Sequence, residues 1–182
     1  MILLPEERKI FFKNWLGLLA FVNDKHHLIR NFGHPKKTAG LKQEDITKIK
    51  TKLWENVAVI DEYINSASGL SEEDIQILTG WKTNIPGHFM VVTHLKKYSV
   101  LLNDKEDVLY GVIGIRSPIA DMLPLDMLPM MIQTTLMPFK GRIIYDSLFS
   151  VYNSQISPNV KKNCKASYSE IKEQKGIIST LT

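Results

Sequence analysis

Phe89-Met-Val-Val-Thr-His-Leu95, Tyr98-Ser-Val-Leu-Leu102 and Val108-Leu-Tyr-Gly-Val-Ile-Gly-Ile115 follow one another with only turn residues between them. They are rich in Val, Ile, Leu and Tyr, the composition of β-strands. The polar link Asn103-Asp-Lys-Glu-Asp107 is five residues long, so the second and third runs are predicted to form a hairpin. Before Pro86 apolar residues recur at helical spacing; from Gly87 the rhythm is extended. Helices followed by strands imply an α+β fold rather than a parallel α/β sheet.

Downstream, Pro118, Pro124 and Pro129 break any regular element. Met130 to Met137 and Arg142 to Ser150 read as two more strands joined around Lys140-Gly141, a gap that demands antiparallel pairing. Pro138 cannot donate to a ladder, so it is expected at a strand end or an edge. Gly111 and Gly114 would let a sheet bend closed. Pro158 to Lys175 reads as a helix with Val160, Cys164, Tyr168 and Ile171 on one face and Gly176 as its stop.

Upstream, Pro5 suits a first helical position, and Glu6 and Glu7 suit the positive end of the dipole. Phe11, Trp15, Leu18 and Val22 then line one face. Ile46, Ile49, Leu53, Val57, Ile60 and Ile64 predict a second helix across residues 43 to 66. Ser71, with Asp74 three residues on, predicts a capped third helix ending near Gly80. The expectation is a three-helix part (residues 1–86) packed on an antiparallel sheet or small barrel of four to five strands with a closing C-terminal helix (residues 87–182). The two parts are expected to share one core.

The 182 residues are 44% apolar and 23% charged, which excludes a disordered or collagen-like chain. The net charge of +4 is spread, +1 before residue 87 and +3 after it, not gathered as in a nucleic-acid domain. Cys164 is the only cysteine, so no intrachain disulfide forms. No apolar run reaches the ~20 residues that span a bilayer. The N-terminus lacks a signal-peptide pattern, and a cytoplasmic setting without membrane contact is expected.

The chemistry-bearing residues are sparse. His88 and His94, six apart, are expected on one side of a strand, and no histidine pair has the helical spacing of a zinc site, so no metal is expected. The run Lys25 to Lys37, with His26, His27, Arg30, Phe32, His34 and Lys36, could contact phosphates. A solvated helix end explains it better, so nucleic acid is a disfavoured partner. Asp104, Glu106 and Asp107 read as a polar hairpin tip. Asp146 stands among Ile143, Ile144, Leu148 and Phe149, and Arg142, four residues away, is expected to pair with it. Arg142, Tyr145, Asp146 and His94 are the candidate pocket residues of a small hydrolase-type enzyme whose site would assemble only in three dimensions. Cys164 reads as a small buried hydrophobe. The sequence has no Gly-x-Ser-x-Gly, phosphate loop or dinucleotide fingerprint, and no cofactor is expected.

One feature stands out. Asp121-Met-Leu-Pro124 is repeated as Asp126-Met-Leu-Pro129, and Met130, Met131 and Met137 follow. Methionine-rich surfaces adapt to varied apolar partners. Met122, Leu123, Met127 and Leu128 are therefore candidate contacts for a protein partner or an apolar ligand; the plainer alternative is a crossover that buries them. A non-catalytic binding or interaction module is the leading reading, with the hydrolase-type enzyme and nucleic-acid binding through Lys25 to Lys37 as alternatives.

Met137-Pro-Phe-Lys-Gly-Arg-Ile-Ile-Tyr-Asp-Ser-Leu148 resembles a stretch of uncharacterised bacterial proteins that carries a Pro-Phe-Lys-Gly-x-Ile-x-Tyr-Asp pattern. The resemblance covers about a dozen residues and implies a local strand–turn–strand, with no activity attached.

Overall fold

The computed structural model describes residues 1–30, 32, 42–103, 105–152 and 157–181. Within the basic run, His34, Lys36 and Lys37 lie outside the described residues, as does Asp104. The chain divides into two compact units, Pro5–Lys82 and Met1–Leu4 with Thr83–Thr182.

The first unit is helical: α1 (Pro5–His26), α2 (Gln43–Glu55), α3 (Val59–Ser66) and α4 (Glu72–Gly80). Phe11, Trp15, Leu18 and Val22 are all buried, as their spacing predicts. Trp15 stacks on Trp54 at 5.9 Å and meets Trp81 edge-on at 5.7 Å. The helix expected over 43–66 is two helices. Asn56 takes an extended conformation and its Oδ1 accepts a bond from the Ala58 N–H at 3.2 Å. Asparagine competes with the helical ladder in this way, and apolar spacing does not register it.

α4 opens on the capping box that Ser71 and Asp74 predict. Asp74 Oδ2 accepts from Lys13 Nζ at 2.6 Å, Ser71 N at 2.9 Å and Ser71 Oγ at 2.8 Å. Its Oδ1 accepts from Asn14 Nδ2 at 2.8 Å. Burial raises the Asp74 pKa, but these bonds outweigh it and hold the carboxyl well below the usual range.

The second unit holds β1 (Ile85–His94), β2 (Ser99–Asn103), β3 (Val108–Val112), the one-turn α5 (Ile119–Met122), β4 (Met130–Phe139), β5 (Arg142–Tyr145), β6 (Ser150–Val151) and α6 (Pro158–Gln174). The sheet order is β1-β2-β3-β5-β4, and β4 pairs again with β1, so five strands close on themselves. All pairings are antiparallel except β3 with β5, where Val112 faces Ile143. This is the strand order of OB-type barrels. β6 adds two residues beside β4, opposite Ile132 and Gln133.

The expected class and the closing helix are observed, and the differences lie in element ends. β1 starts at Ile85, so Pro86 is inside a strand, opposite Thr135. β2 joins β1 only from Met90 onward, and where β1 has a single neighbour a residue without N–H is tolerated. The run 142–150 is interrupted after Tyr145, with Ser147 at φ 73°. Pro138 stays in β4, opposite Ile143. Lys140 and Gly141 both have positive φ, the signature of a type I′ hairpin turn.

Cross-strand partners share a face. Phe89, Val91, Leu101, Tyr110, Val112, Ile132, Leu136 and Ile143 fall on one face by register and are buried. On the other face Val100, Leu102 and Leu109 pack under Cys164 and Ile171 of α6, with Met90, Val92 and Tyr168 around them. Val160, expected on the same helical face, is 45% exposed.

The outer edge of β3 is covered piece by piece. Gly111 N donates to Ile178 O at 2.7 Å, and Ile178 N to Leu109 O at 2.9 Å. Ile113 N donates to Ile143 O at 3.0 Å, and Gly114 N to Met1 O at 3.1 Å. This edge is therefore no template for an added strand.

Candidate interaction site

The β3–β4 crossover, from Ile113 to Pro129, joins two strands that are not neighbours, with β5 between them. It begins at a close approach: a Cβ on Gly114 would stand 2.0 Å from the Ser117 carbonyl oxygen. Only glycine fits there. Ile119 and Leu123 anchor the segment, each 2% exposed. Asp121 N and Leu123 N close the α5 turn onto Pro118 O and Ile119 O.

A further anchor comes from His94, the last residue of β1. His94 Nε2 meets Leu123 O at 2.7 Å and Nδ1 meets Ser99 Oγ at 2.8 Å. A carbonyl only accepts, so Nε2 carries the proton and donates. In the neutral ring Nδ1 then accepts from the Ser99 hydroxyl. The shift in β1 register between Val91 and Thr93 aims the ring this way. A bulge adds a residue and reverses the side-to-side alternation. His88 and His94, expected on one side, therefore face opposite sides. His88 Nε2 instead meets Tyr152 Oη at 2.9 Å, and that hydroxyl donates to Gln133 Oε1 at 2.8 Å.

The Asp-Met-Leu-Pro repeat divides its labour over this anchored frame. Met122 is 41% exposed and Met127 47% exposed. Leu123 is buried and Leu128 half-buried. Leu125, between the two copies and outside the repeat itself, is 65% exposed. Its signal was available: it is the apolar residue between Pro124 and the second Asp. Asp121 and Asp126 are exposed beside these side chains.

The pocket candidates are placed as follows. Tyr145 and Asp146 are adjacent at the end of β5, and Arg142 starts that strand, roughly 10 Å back at ~3.3 Å per residue. Asp146 lies beyond the strand, so the expected same-side spacing with Arg142 does not apply. Asp146 Oδ1 accepts from Thr134 Oγ1 at 3.1 Å, and its N–H donates to Thr135 O at 3.0 Å. Burial pushes the Tyr145 hydroxyl above its ordinary value; a backbone hydrogen bond from Ile115 acts against this, and the Asp146 carboxylate adds to it. Phe149 packs edge-on against the Tyr145 ring at 5.4 Å. His94 is engaged elsewhere, at the crossover. His94 thus ties β1 to the crossover, and Asp146 ties the end of β5 to β4.

The basic run shows its start only. Lys25 is ion-paired with Glu62, and buried Asn23 clamps Ile29 through both its N–H, at 2.7 Å, and its carbonyl, at 3.0 Å. A cavity of about 660 Å³ opens there, lined by Asn23, Asp24, His27, Arg30 and Phe32 among others. Among the described residues there is no cluster of three or more His, Cys, Asp or Glu able to hold a metal. No helix among them is long and apolar enough to cross a membrane.

No protein family, no curated protein and no solved structure matches this chain.

Proposed function

We propose that the protein is a non-catalytic interaction module that docks another polypeptide on the β3–β4 crossover. The observation that carries this reading is the exposure of Met122, Leu125 and Met127 on a segment anchored by buried Leu123, by Ile119 and by the His94 bond. Apolar side chains gathered on a fixed frame suit binding, because little freedom is lost when a partner arrives. Thioethers also adapt to the partner's shape.

The rest of the barrel supports the choice of this surface. In OB-type barrels the β2–β3 face holds ligands such as oligonucleotides. Here that face is Val100, Leu102 and Leu109, aliphatic and roofed by α6. The rings beside it, Tyr98 and Tyr168, are packed against that cluster and not presented as open stacking platforms. The β3 edge is occupied as well.

The test is capture by the full chain against the triple variant Met122→Ser, Leu125→Ser, Met127→Ser. Leu123 is left in place because it is core. The account expects a captured partner to be lost with the triple variant while its melting temperature holds, and to be retained by Val160→Ser, a control exposed on α6. Equal capture by the triple variant overturns the proposal.

A further inference from the structure

We infer that the partner presents a basic amphipathic segment, apolar on one side and carrying Lys or Arg beside it; this rests on the crossover being the docking surface. The reason is charge. Three acids of the helical unit are ion-paired, Glu62 with Lys25, Asp61 with Lys82 at 2.7 Å, and Glu55 with Lys52 at 2.7 Å, while others such as Glu6, Glu44 and Glu72 stand in solvent with no methionine next to them in the chain. Asp121 and Asp126 differ. Each stands one residue before an exposed methionine, and neither carboxylate has an ion-pair partner among the described residues. The repeat thus offers two acid–thioether pairs at a five-residue interval, in a chain whose net charge is +4.

An anionic lipid surface or a nucleic acid would be repelled by these carboxylates. A cationic, apolar segment is matched on both counts: its side chains bury Met122, Leu125 and Met127, and its cations sit over Asp121 and Asp126.

The experiment measures binding of three synthetic 18-residue amphipathic peptides to the full chain by fluorescence anisotropy. All share one Leu face; the polar face is Lys, Gln or Glu. The Lys peptide is expected to bind about tenfold more tightly than the Glu peptide at low ionic strength, a gap that closes at high salt. The overall positive charge of the chain works against this order, so non-specific attraction does not produce it. Asp121→Asn with Asp126→Asn should erase the preference and leave the Gln peptide's affinity within about twofold. Equal binding of all three peptides, a preference for Glu, no binding, or an Asn variant that keeps the Lys preference overturns the inference. The Met122→Ser, Leu125→Ser, Met127→Ser variant separates the two levels. If it binds every peptide as the parent does, the docking surface itself is wrong. If it loses all binding but the parent shows no Lys preference, the surface stands and the charge argument falls. A dimer in sedimentation that the Ser variant dissolves identifies a second copy as the occupant and overturns the inference.

Discussion

Asp74 is the most heavily bonded carboxylate described in the helical unit, and its chemistry gives a pH signature. Its folded pKa is held below the ~3.9 of an unfolded aspartate. Its contribution is therefore fully present above about pH 4 and is lost as the pH falls toward the folded value. Asp74→Asn should cost about 1–2 kcal/mol in denaturant unfolding at neutral pH. The deficit should shrink as the pH falls below about 4, where the unfolded parent takes up a proton that the folded carboxyl still refuses; a deficit independent of pH would contradict this. Glycines supply a second contrast. Gly114→Ala drives a Cβ against backbone and should destabilise by about 3 kcal/mol. At Gly17 the obstacle is the Tyr63 hydroxyl at 2.3 Å, the far end of a side chain. There the mid-helix gain of alanine, ~0.5–1 kcal/mol, offsets most of the strain. Thermal melts of the two variants should differ plainly. His94 adds a third case. His94→Ala removes the donor to Leu123, and amide exchange across Leu123–Leu128 should quicken; His94→Gln keeps an N–H donor and should restore most of the protection.

Elements with strong periodic signals were legible in sequence, and their interruptions were not. α1, the capped α4, the β2–β3 hairpin and α6 all follow from spacing, because a buried stripe must repeat at the period of its backbone. The 43–66 helix divides because one asparagine side chain captures a nearby N–H, an event with no periodic trace. The β1 bulge reverses the side on which His94 emerges, and alternation counted across it gives the wrong face. The site suffered for the same reason. The Asp-Met-Leu-Pro repeat was visible as composition, but which of its apolar residues stay in solvent depends on the anchors beneath, and Leu125 had no partner in the repeat to draw notice. The roof over β1–β3 is open to test as an element. Ile171→Ala should cost about 2–4 kcal/mol. Ile171→Asp should lift α6 and raise dye binding to the Val100, Leu102 and Leu109 face. Unchanged dye binding and stability would mean that α6 does not cover that face.

Across the whole chain, the barrel spends its surfaces on itself: one face under α6, the β3 edge under Ile178, Ile143 and Met1, and His94, Tyr145 and Asp146 as internal ties. The connection from β3 to β4 exposes three large apolar side chains, Met122, Leu125 and Met127, within six residues. The central claim is that this connection meets the partner, and site-specific photo-crosslinking reads it most directly. A photoreactive residue at position 125 in the full chain, irradiated in cells that express it, should give a discrete protein adduct that position 75 on α4 and position 160 on α6 do not. Adducts from 160 or 75 with none from 125 would contradict the account.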